Sequence, residues 1–220
     1  QMLDKNLINI FFNWDPFLYD YEKYNSVYWK NIIENKKKIY PLMNYIFTCF
    51  EKEKLYFNSY PIYYNPPGFD KNISTYIYNK TYECDISFIL TNLYNDNNQF
   101  PVDATNLNRY DVVNKLYENR DKFNFHIYGP EQIGSLYPEC YKGFIKYDEC
   151  NLVFSNSKIN LSIHPIVNEL NSINSKEEYF SERVPQILGC KGLLMTNSYF
   201  NNILKENEDY IYIDKNIDFL

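Results

Sequence analysis

The feature of this sequence that most constrains its fold is the repeated alternation of short apolar runs with stretches of helical spacing. Short apolar runs bounded by turn residues are typical of buried strands, whereas Val112, Val113 and Leu116 have the spacing of one helix face. Strands that alternate with helices indicate a parallel sheet with helices on its faces. The sequence therefore predicts an α/β protein with a Rossmann-like, doubly wound parallel sheet.

The predicted elements fall into two sections. The expected strands are 7–12, 45–50, 61–64, 84–90, 123–128, 144–147, 159–163, 193–196 and 210–213. The expected helices are 24–36, 51–57, 109–119, 148–156, 184–190 and 198–206. Two prolines followed by Gly68 mark a firm turn. We therefore expect a partial N-terminal α/β section over residues 2–75 and a Rossmann-like domain over residues 76–220, with Gln1 taken as the remnant of a cleavage tag.

Charge and apolar content exclude two classes of partner. The net charge is −6 and the longest basic run is 36–38, which argues against nucleic acid. No apolar stretch is long enough to cross a membrane and no signal peptide opens the chain, so we expect no integral membrane segment and a cytoplasmic protein. The five cysteines are odd in number and include no C-x-x-C pair, which is typical of buried cytosolic thiols.

Residues 178–197 carry the clearest functional pattern. A carboxylate is followed by a turn, a helix, a break of small residues and an apolar strand. Ser181 and Arg183 fall at the start of the helix, where free backbone N–H groups and the helix dipole both favour an anion. The sequence therefore predicts a phosphate-type anion site beside Ser181 and Arg183.

This segment resembles the donor-binding motif of GT-B glycosyltransferases in the group-1 and spore-coat-like families. Glu178 fits the first glutamate of that motif, residues 180–181 fit its aromatic–small pair, and residues 189–192 fit its small-residue break. Gln186 stands where the motif has a second glutamate. Lys191 replaces a small residue of the break. A glutamine amide can still hydrogen-bond a diol, as the motif's glutamate would.

The resemblance extends from about residue 76 to residue 214. Residues 123–130 resemble an apolar strand that ends in Tyr-Gly, 141–144 a Tyr-x-Gly-aromatic segment, and 157–161 a Ser-Lys-Ile-Asn-Leu strand. The section 2–75 looks like the tail of the family's N-terminal domain. Because that domain begins earlier in the family, we expect the chain to be an excised piece or a shortened relative.

The resemblance implies a glycosyltransferase whose donor is a nucleotide-diphosphate sugar and which needs no metal or other cofactor. Ser181 and Arg183 would hold the diphosphate. Glu178 would bind the sugar hydroxyls and Gln186 the ribose. Further donor-binding candidates follow strands whose carboxyl ends meet at one edge of the sheet, where open α/β sheets bind ligands: Thr91, Asn92, Gly129 and His164.

The catalytic base is expected from the N-terminal section, where Asp15 is the best placed carboxylate. The acceptor, in an expected role in glycan biosynthesis, is an unspecified glycan, protein or small molecule. The sequence has no D-x-D pair, P-loop, G-x-S-x-G elbow or G-x-G-x-x-G run. These absences argue against metal-dependent glycosyl transfer of the other large class, nucleotide hydrolysis, serine hydrolysis and dinucleotide oxidoreduction.

Alternatives stay open for several residues and for the function. Arg183 pairs with a neighbouring glutamate, His164 is a strand-end residue with a satisfied ring, and His126 belongs to the core. Lys191 either contacts a phosphate or faces solvent. The alternative function is a non-catalytic GT-B-like module with a structural or protein-binding role, and a weaker one is a flavodoxin-like signalling or FMN domain.

Overall fold

The computed structural model describes residues 8–13, 27–49, 51–91, 93, 107, 109–164, 180–200 and 203–214. Within these residues the chain forms two parallel sheets accompanied by helices. Asp15, Asn92 and Glu178 lie outside the described residues, so the roles expected of them stay predictions.

The first sheet has three parallel strands in the order β1-β2-β3. The strands are β1 (Ile10–Asn13), β2 (Tyr45–Thr48) and β3 (Ile62–Tyr64), and the helices between them are α1 (Val27–Ile39) and α2 (Glu51–Tyr56). One face buries Ile46 and Ile62, whereas the other leaves Phe12 and Tyr63 exposed. Alternate residues of a strand point to opposite faces, which explains this division.

A buried carboxylate holds the carboxyl ends of β1 and β2 together. Glu53 of α2 is 0% exposed and accepts hydrogen bonds from Lys36 Nζ and Asn13 Nδ2, both at 2.7 Å. It also accepts from the hydroxyl groups of Tyr40 and Thr48. Each carboxylate oxygen thus has two donors, which is what burial of a charge requires.

The second sheet has five parallel strands in the order β5-β4-β6-β7-β8. The strands are β4 (Cys84–Ile89), β5 (Phe125–Tyr128), β6 (Ser157–Ser162), β7 (Leu194–Thr196) and β8 (Tyr210–Tyr212). The helices are α3 (Arg109–Glu118), α4 (Glu131–Leu136), α5 (Cys150–Asn156) and α6 (Arg183–Gly189). The chain runs from β4 outwards to β5 and then returns to β6 on the other side of β4. The switch crevice, defined here as the gap between the carboxyl ends of β4 and β6, is where such sheets bind ligands.

Helices cover both faces of this sheet. On one face α3 and α4 close a buried apolar cluster: Phe88, Val113, Leu116, Ile127 and Ile133. On the other face α5 and α6 close a second one: Phe154, Val184, Ile187, Leu194 and Tyr210. Burying each aliphatic side chain of this size contributes about 1.5–3 kcal/mol before entropy costs. The predicted Rossmann-like, doubly wound α/β fold is confirmed.

The strand predicted at 144–147 is wrong, because the pairing occurs earlier in the chain. Tyr141 forms a parallel bridge with Ile127, which exchanges two backbone hydrogen bonds of 2.9 Å with residues 140 and 142. Gly143 then has φ +99°, which turns the chain and leaves Phe144 exposed. The bridge at Tyr141 lies beyond β5 at the edge of the sheet. If it is counted as a strand and the strands are numbered from β4 in chain order, the sheet has the 3-2-1-4-5-6 order of Rossmann sheets.

The helix predicted at 198–206 is also wrong for the described residues of that segment, none of which is helical. The ring of Tyr199 stacks on Tyr212 with centroids 3.9 Å apart, and the buried Phe200 ring packs edge-on against Tyr210 at 4.9 Å. Aromatic packing against β8 therefore overrides the local helical pattern. Helix α4 lies where no helix was expected.

The segment before β4 packs against the helices of the second sheet. A Cβ atom on Gly189 would lie 2.9 Å from the Phe69 ring and 3.0 Å from the Ser74 carbonyl oxygen. The amide of Ile77 donates to Ser155 Oγ at 3.1 Å. These contacts link part of the expected first section to the second sheet, and the boundary at residue 75 stays a prediction.

None of the five cysteines forms a disulfide and four of them are buried, which confirms the expected reduced core thiols. Burial raises the pKa of Cys84 and of Cys150 to about 11, so both thiols stay protonated and unreactive. No helix in the described part of the chain combines the length and the apolar composition needed to cross a bilayer.

Candidate functional site

The carboxyl ends of three neighbouring strands meet at the switch crevice. The exposed Thr91 follows β4, His164 follows β6 and Asn197 follows β7. The Asn197 amide accepts from the His164 backbone N–H at 2.9 Å and donates to the His164 carbonyl at 3.0 Å. The side chain thereby continues the β6–β7 ladder by one residue and fixes the backbone of His164.

Two hydroxyl groups contact the same nitrogen of the His164 imidazole. Its Nε2 atom is 2.8 Å from Ser162 Oγ and 3.3 Å from Ser181 Oγ, and the side chain is buried. Ser181 comes from the segment that precedes α6. Two residues that the sequence placed in the donor site, His164 and Ser181, are therefore in contact.

The charges of two arginines act on this imidazole. Arg109 begins α3 and its Nε donates to the Ile163 carbonyl at 2.8 Å, whereas Arg183 begins α6. Burial first, and then the charges of Arg109 and Arg183, hold the pKa of His164 well below its usual range. The ring is therefore neutral at physiological pH, and the positive charge of the site belongs to the guanidinium groups.

A Ser–His pair also occurs in nucleophilic enzymes, but this pair is poorly suited to that chemistry. A general base works best when its pKa lies near the working pH. The pKa of His164 is held well below its usual value, so transfer of a proton from Ser181 to the ring is unfavourable. The pair instead offers hydrogen-bonding groups beside positive charge, which suits recognition of an anion.

The backbone of α6 contributes less to this site than its sequence suggested. The amide of Val184 already donates to the Ser181 carbonyl at 3.1 Å, and that of Gln186 to the Glu182 carbonyl at 3.4 Å. The helix has seven residues, so its dipole is short. Attraction for an anion therefore depends on side chains such as Arg183 rather than on free helix amides.

Gln186 lies one turn beyond Arg183 on α6 and points towards the segment before α5. It is buried, and its Nε2 donates to the hydroxyl oxygen of Tyr147 at 2.6 Å, while the Tyr147 side chain is largely exposed. Any ligand hydroxyl that binds Gln186 has to share the amide with Tyr147. The structure thus brings Gln186 to the rim of the site, but not into contact with His164.

Gly129 follows β5 for a reason of packing. A Cβ atom there would lie 2.4 Å from the Leu90 carbonyl oxygen, too close for any side chain. Its N–H donates to the Gly143 carbonyl at 3.1 Å and its carbonyl accepts from Tyr141 Oη at 2.9 Å. The close backbone approach that this glycine allows is made to Leu90, the residue after β4, and contact with a ligand stays a prediction.

Two residues with competing interpretations are now assigned. Lys191 is exposed at the far end of α6 from Arg183, with φ +59° and Nζ 5.7 Å from the Tyr76 ring centroid. It faces solvent and lies about 12 Å along the direction of the helix from Arg183. His126 is a buried residue of β5 whose Nδ1 is 3.4 Å from Tyr128 Oη, which confirms its core position.

Four residues of the site were not anticipated from the sequence: Arg109, Tyr147, Ser162 and Asn197. A local signal exists for Ser162, because residues two apart on a strand share a face and Ser162 precedes His164 by two. The others reach the site from separate elements. Among the described residues, no group of three or more His, Cys, Asp or Glu side chains is placed to hold a metal ion.

Comparison with known proteins adds a family to this geometry. The profile of a glycosyl transferase-like family matches residues 109–220, about half of the chain. The matched region begins at Arg109 and contains His164, Ser181, Arg183 and Gln186. A search of curated proteins finds no match. From the fold, the switch-crevice cluster and this match, the chain belongs to the glycosyl transferase-like family.

Proposed function

We propose that this chain transfers a sugar from a nucleotide-diphosphate sugar to an acceptor glycan, protein or small molecule, and that it needs no metal. Family membership supports glycosyl transfer in general. The observation that carries the finer proposal is the cluster at the switch crevice, where Ser181 contacts a neutral His164 and the charge of Arg183 acts on that ring. Hydroxyl and guanidinium donors together suit a phosphate group.

The cluster has a direct role in the transfer step. When the bond between the sugar and the diphosphate breaks, its electron pair stays with the departing oxygen and negative charge grows there. A guanidinium that already faces this oxygen stabilises the transition state more than the ground state. Arg183 would supply that charge, and Ser181, held by His164, would donate a hydrogen bond.

The other roles follow from the resemblance and from position in the sequence. Gln186, together with the hydroxyl group of Tyr147, would bind the ribose. Asp15 would act as the catalytic base. The remaining donor-side residues are Thr91, Asn92, Gly129 and Glu178. The absence of a disulfide among the five cysteines supports a reducing, cytoplasmic setting, in which the protein would take part in glycan biosynthesis.

The test is thermal melting of the chain against UDP, GDP, CMP and TDP, each with and without magnesium. A ligand that binds the folded state alone stabilises it by about 2.7 kcal/mol at a hundredfold excess over Kd, which raises Tm by about 5–10 °C for a chain of this size. We expect one nucleoside diphosphate to give such a shift, with or without magnesium, and Arg183→Ala to abolish it.

Arg120→Ala is the matched control, because Arg120 is an exposed arginine that pairs with Glu139 away from the crevice. It should leave the shift unchanged. If no nucleotide shifts Tm at millimolar concentration, the donor site is not functional, and the alternative of a non-catalytic module with a structural role is favoured. A shift that requires magnesium would overturn the metal-independent part of the proposal.

A further inference from the structure

The two helices of the first sheet lie on the same side of it. The chain steps in one direction from β1 to β2 and from β2 to β3, and right-handed crossovers then place α1 and α2 on one face. That face buries Ile46 and Ile62. The Phe11 ring also contacts the buried Tyr40 ring, with centroids 5.9 Å apart. The alternate residues of the strands therefore point to the other face.

This other face is a continuous surface of large apolar side chains. The aromatic face is defined here by residues from all three strands: Ile10, Phe12, Tyr45, Phe47 and Tyr63. Phe12, Phe47 and Tyr63 are register partners, and the Phe47 ring centroid lies 5.1 Å from that of Phe12 and 5.7 Å from that of Tyr63. Although the rings contact one another, four of the five residues stay 43–51% exposed: Ile10, Phe12, Tyr45 and Tyr63.

The size and the charge of the aromatic face suit a second copy of this chain. A large side chain of this kind has about 150–250 Å² of surface, so each half-exposed residue leaves about 100 Å² accessible and the face offers roughly 500 Å². Two such faces in contact would bury roughly 1,000 Å², the lower limit of a specific interface. None of the five residues is charged, whereas the chain has a net charge of −6. Two like-charged copies can therefore meet here without bringing charged groups into contact.

We propose that the aromatic face is a self-association surface, through which two copies of this chain stack their first sheets in a two-fold symmetric dimer. Two-fold symmetry brings the same patch together twice, so the patch must be complementary to itself, and an uncharged surface of rings meets this condition. Stacked sheets lie about 10 Å apart, a gap that large side chains from both copies fill. Because the area is small, we expect a weak dimer with Kd about 1–100 μM.

The competing occupant is an amphipathic helix of a different protein, since parallel sheets commonly have helices on both faces. A second copy is favoured because it requires no further component and because rings from both sides of the contact pack well on one another. The two occupants differ in a simple property. A face that binds a foreign helix leaves the purified chain monomeric, whereas a face that binds its own copy does not.

The experiment is sedimentation velocity of the full chain over about 1–200 μM, a range that brackets the expected Kd. We expect the average mass to rise with concentration towards twice the monomer mass and to stop there. Tyr63→Glu should raise Kd at least about tenfold, because symmetry places two added charges in one apolar interface. Phe144→Glu is the matched control, since Phe144 is an aromatic residue outside the first sheet and is 75% exposed, and it should leave Kd unchanged.

A second variant and a salt series complete the test. Tyr45→Glu changes the same face on another strand, so the conclusion does not depend on the folding of one variant, which the Tm of each variant reports. Added salt should strengthen the dimer, because it screens the repulsion between two negative copies.

Three results would overturn the inference. The first is a wild-type chain that stays monomeric at about 200 μM, which would leave the face to a partner of different sequence. The second is a dimer that both Tyr63→Glu and Tyr45→Glu leave intact. The third is a mass that keeps growing beyond the dimer. The aromatic face belongs to the first sheet and the switch crevice to the second, so neither result decides the donor site.

Discussion

The carboxyl edges of the two sheets carry buried polar clusters of opposite design. At the first edge, Glu53 accepts from Lys36 and three neutral donors, so charges of both signs are matched inside the protein. At the second edge, one nitrogen of a neutral His164 contacts two hydroxyl groups, and the charges that act on the ring, from Arg109 and Arg183, are both positive.

The difference teaches that polar residues at strand ends are not by themselves a binding site. Both edges belong to parallel sheets, and both clusters are largely buried. The charges of the first cluster are balanced and its carboxylate has four donors. It therefore stabilises the packing of the helices on the sheet and the alignment of β1 with β2. In the second, both arginine charges that act on the neutral ring are positive, which is the sign that suits a bound anion.

The largest expected loss of stability comes from breaking the buried ion pair of the first edge. Lys36→Met leaves the Glu53 carboxylate buried without its cation, and removing one partner of a buried pair costs about 3–5 kcal/mol. We expect the free energy of unfolding in urea to fall by that amount. The matched control is Lys158→Met, because Lys158 pairs with Asp85 at 2.6 Å while 79% exposed, and exposed pairs contribute about 0–1 kcal/mol.

A double variant sharpens this result. Lys36→Met with Glu53→Leu removes both charges, and should recover part of the loss because no buried charge remains. Equal losses of unfolding free energy in Lys36→Met and Lys158→Met would show that the buried ion pair of the first edge stabilises the fold no more than an exposed ion pair does. A double variant less stable than Lys36→Met alone would show that the hydrogen bonds of Glu53, rather than its charge, dominate.

The second prediction concerns stability at acidic pH. Both histidines lie in the second sheet or directly after one of its strands, and both are buried. Burial lowers the pKa of His126 to about 4, with a smaller effect from the Lys142 charge, and the pKa of His164 is lower than usual as well. The unfolded chain, whose histidines titrate near 6.5, then binds more protons below that pH. The stabilising contribution is complete above about pH 6.5 and is lost as pH falls, by about 2 kcal/mol per histidine down to pH 5.

Urea unfolding at several pH values between 5 and 7 measures this dependence. His126→Gln should remove about half of the fall and leave the part due to His164. The window lies above the usual titration of carboxylates, so they contribute little. Equal stability of the wild-type chain at pH 5 and pH 7 would contradict the neutral, buried state of both rings.

The smallest expected effect concerns the hydrogen bonds of the second edge. Asn197→Ala removes two bonds to the His164 backbone, each worth about 0.5–1.5 kcal/mol, so we expect a loss of about 1–3 kcal/mol in urea unfolding. Asn119→Ala is the comparison, because Asn119 donates one bond to the Lys115 carbonyl at a helix end. A loss at Asn197 no greater than at Asn119 would mean that this edge does not depend on the amide.

Much of the second sheet could be predicted from the sequence, because its signals are local. Apolar runs mark β4, β5 and β6 directly, and the contact between His164 and Ser181 follows from placing both at strand and helix ends. The errors arise where distant packing decides. Gly143 turns the chain before residues 144–147 can form a strand, and Phe200 packs on Tyr210 instead of entering a helix.

By itself the sequence determined the α/β class, the free thiols and the group of residues around Ser181 and Arg183, since periodicity and residue type act over a few positions. The tertiary structure alone decided that the charges of Arg109 and Arg183, which begin two separate helices, act on the same imidazole and that Glu53 is matched by Lys36. Burial and the balance of charge depend on groups far apart in the chain, so they exist only once the sheets have formed.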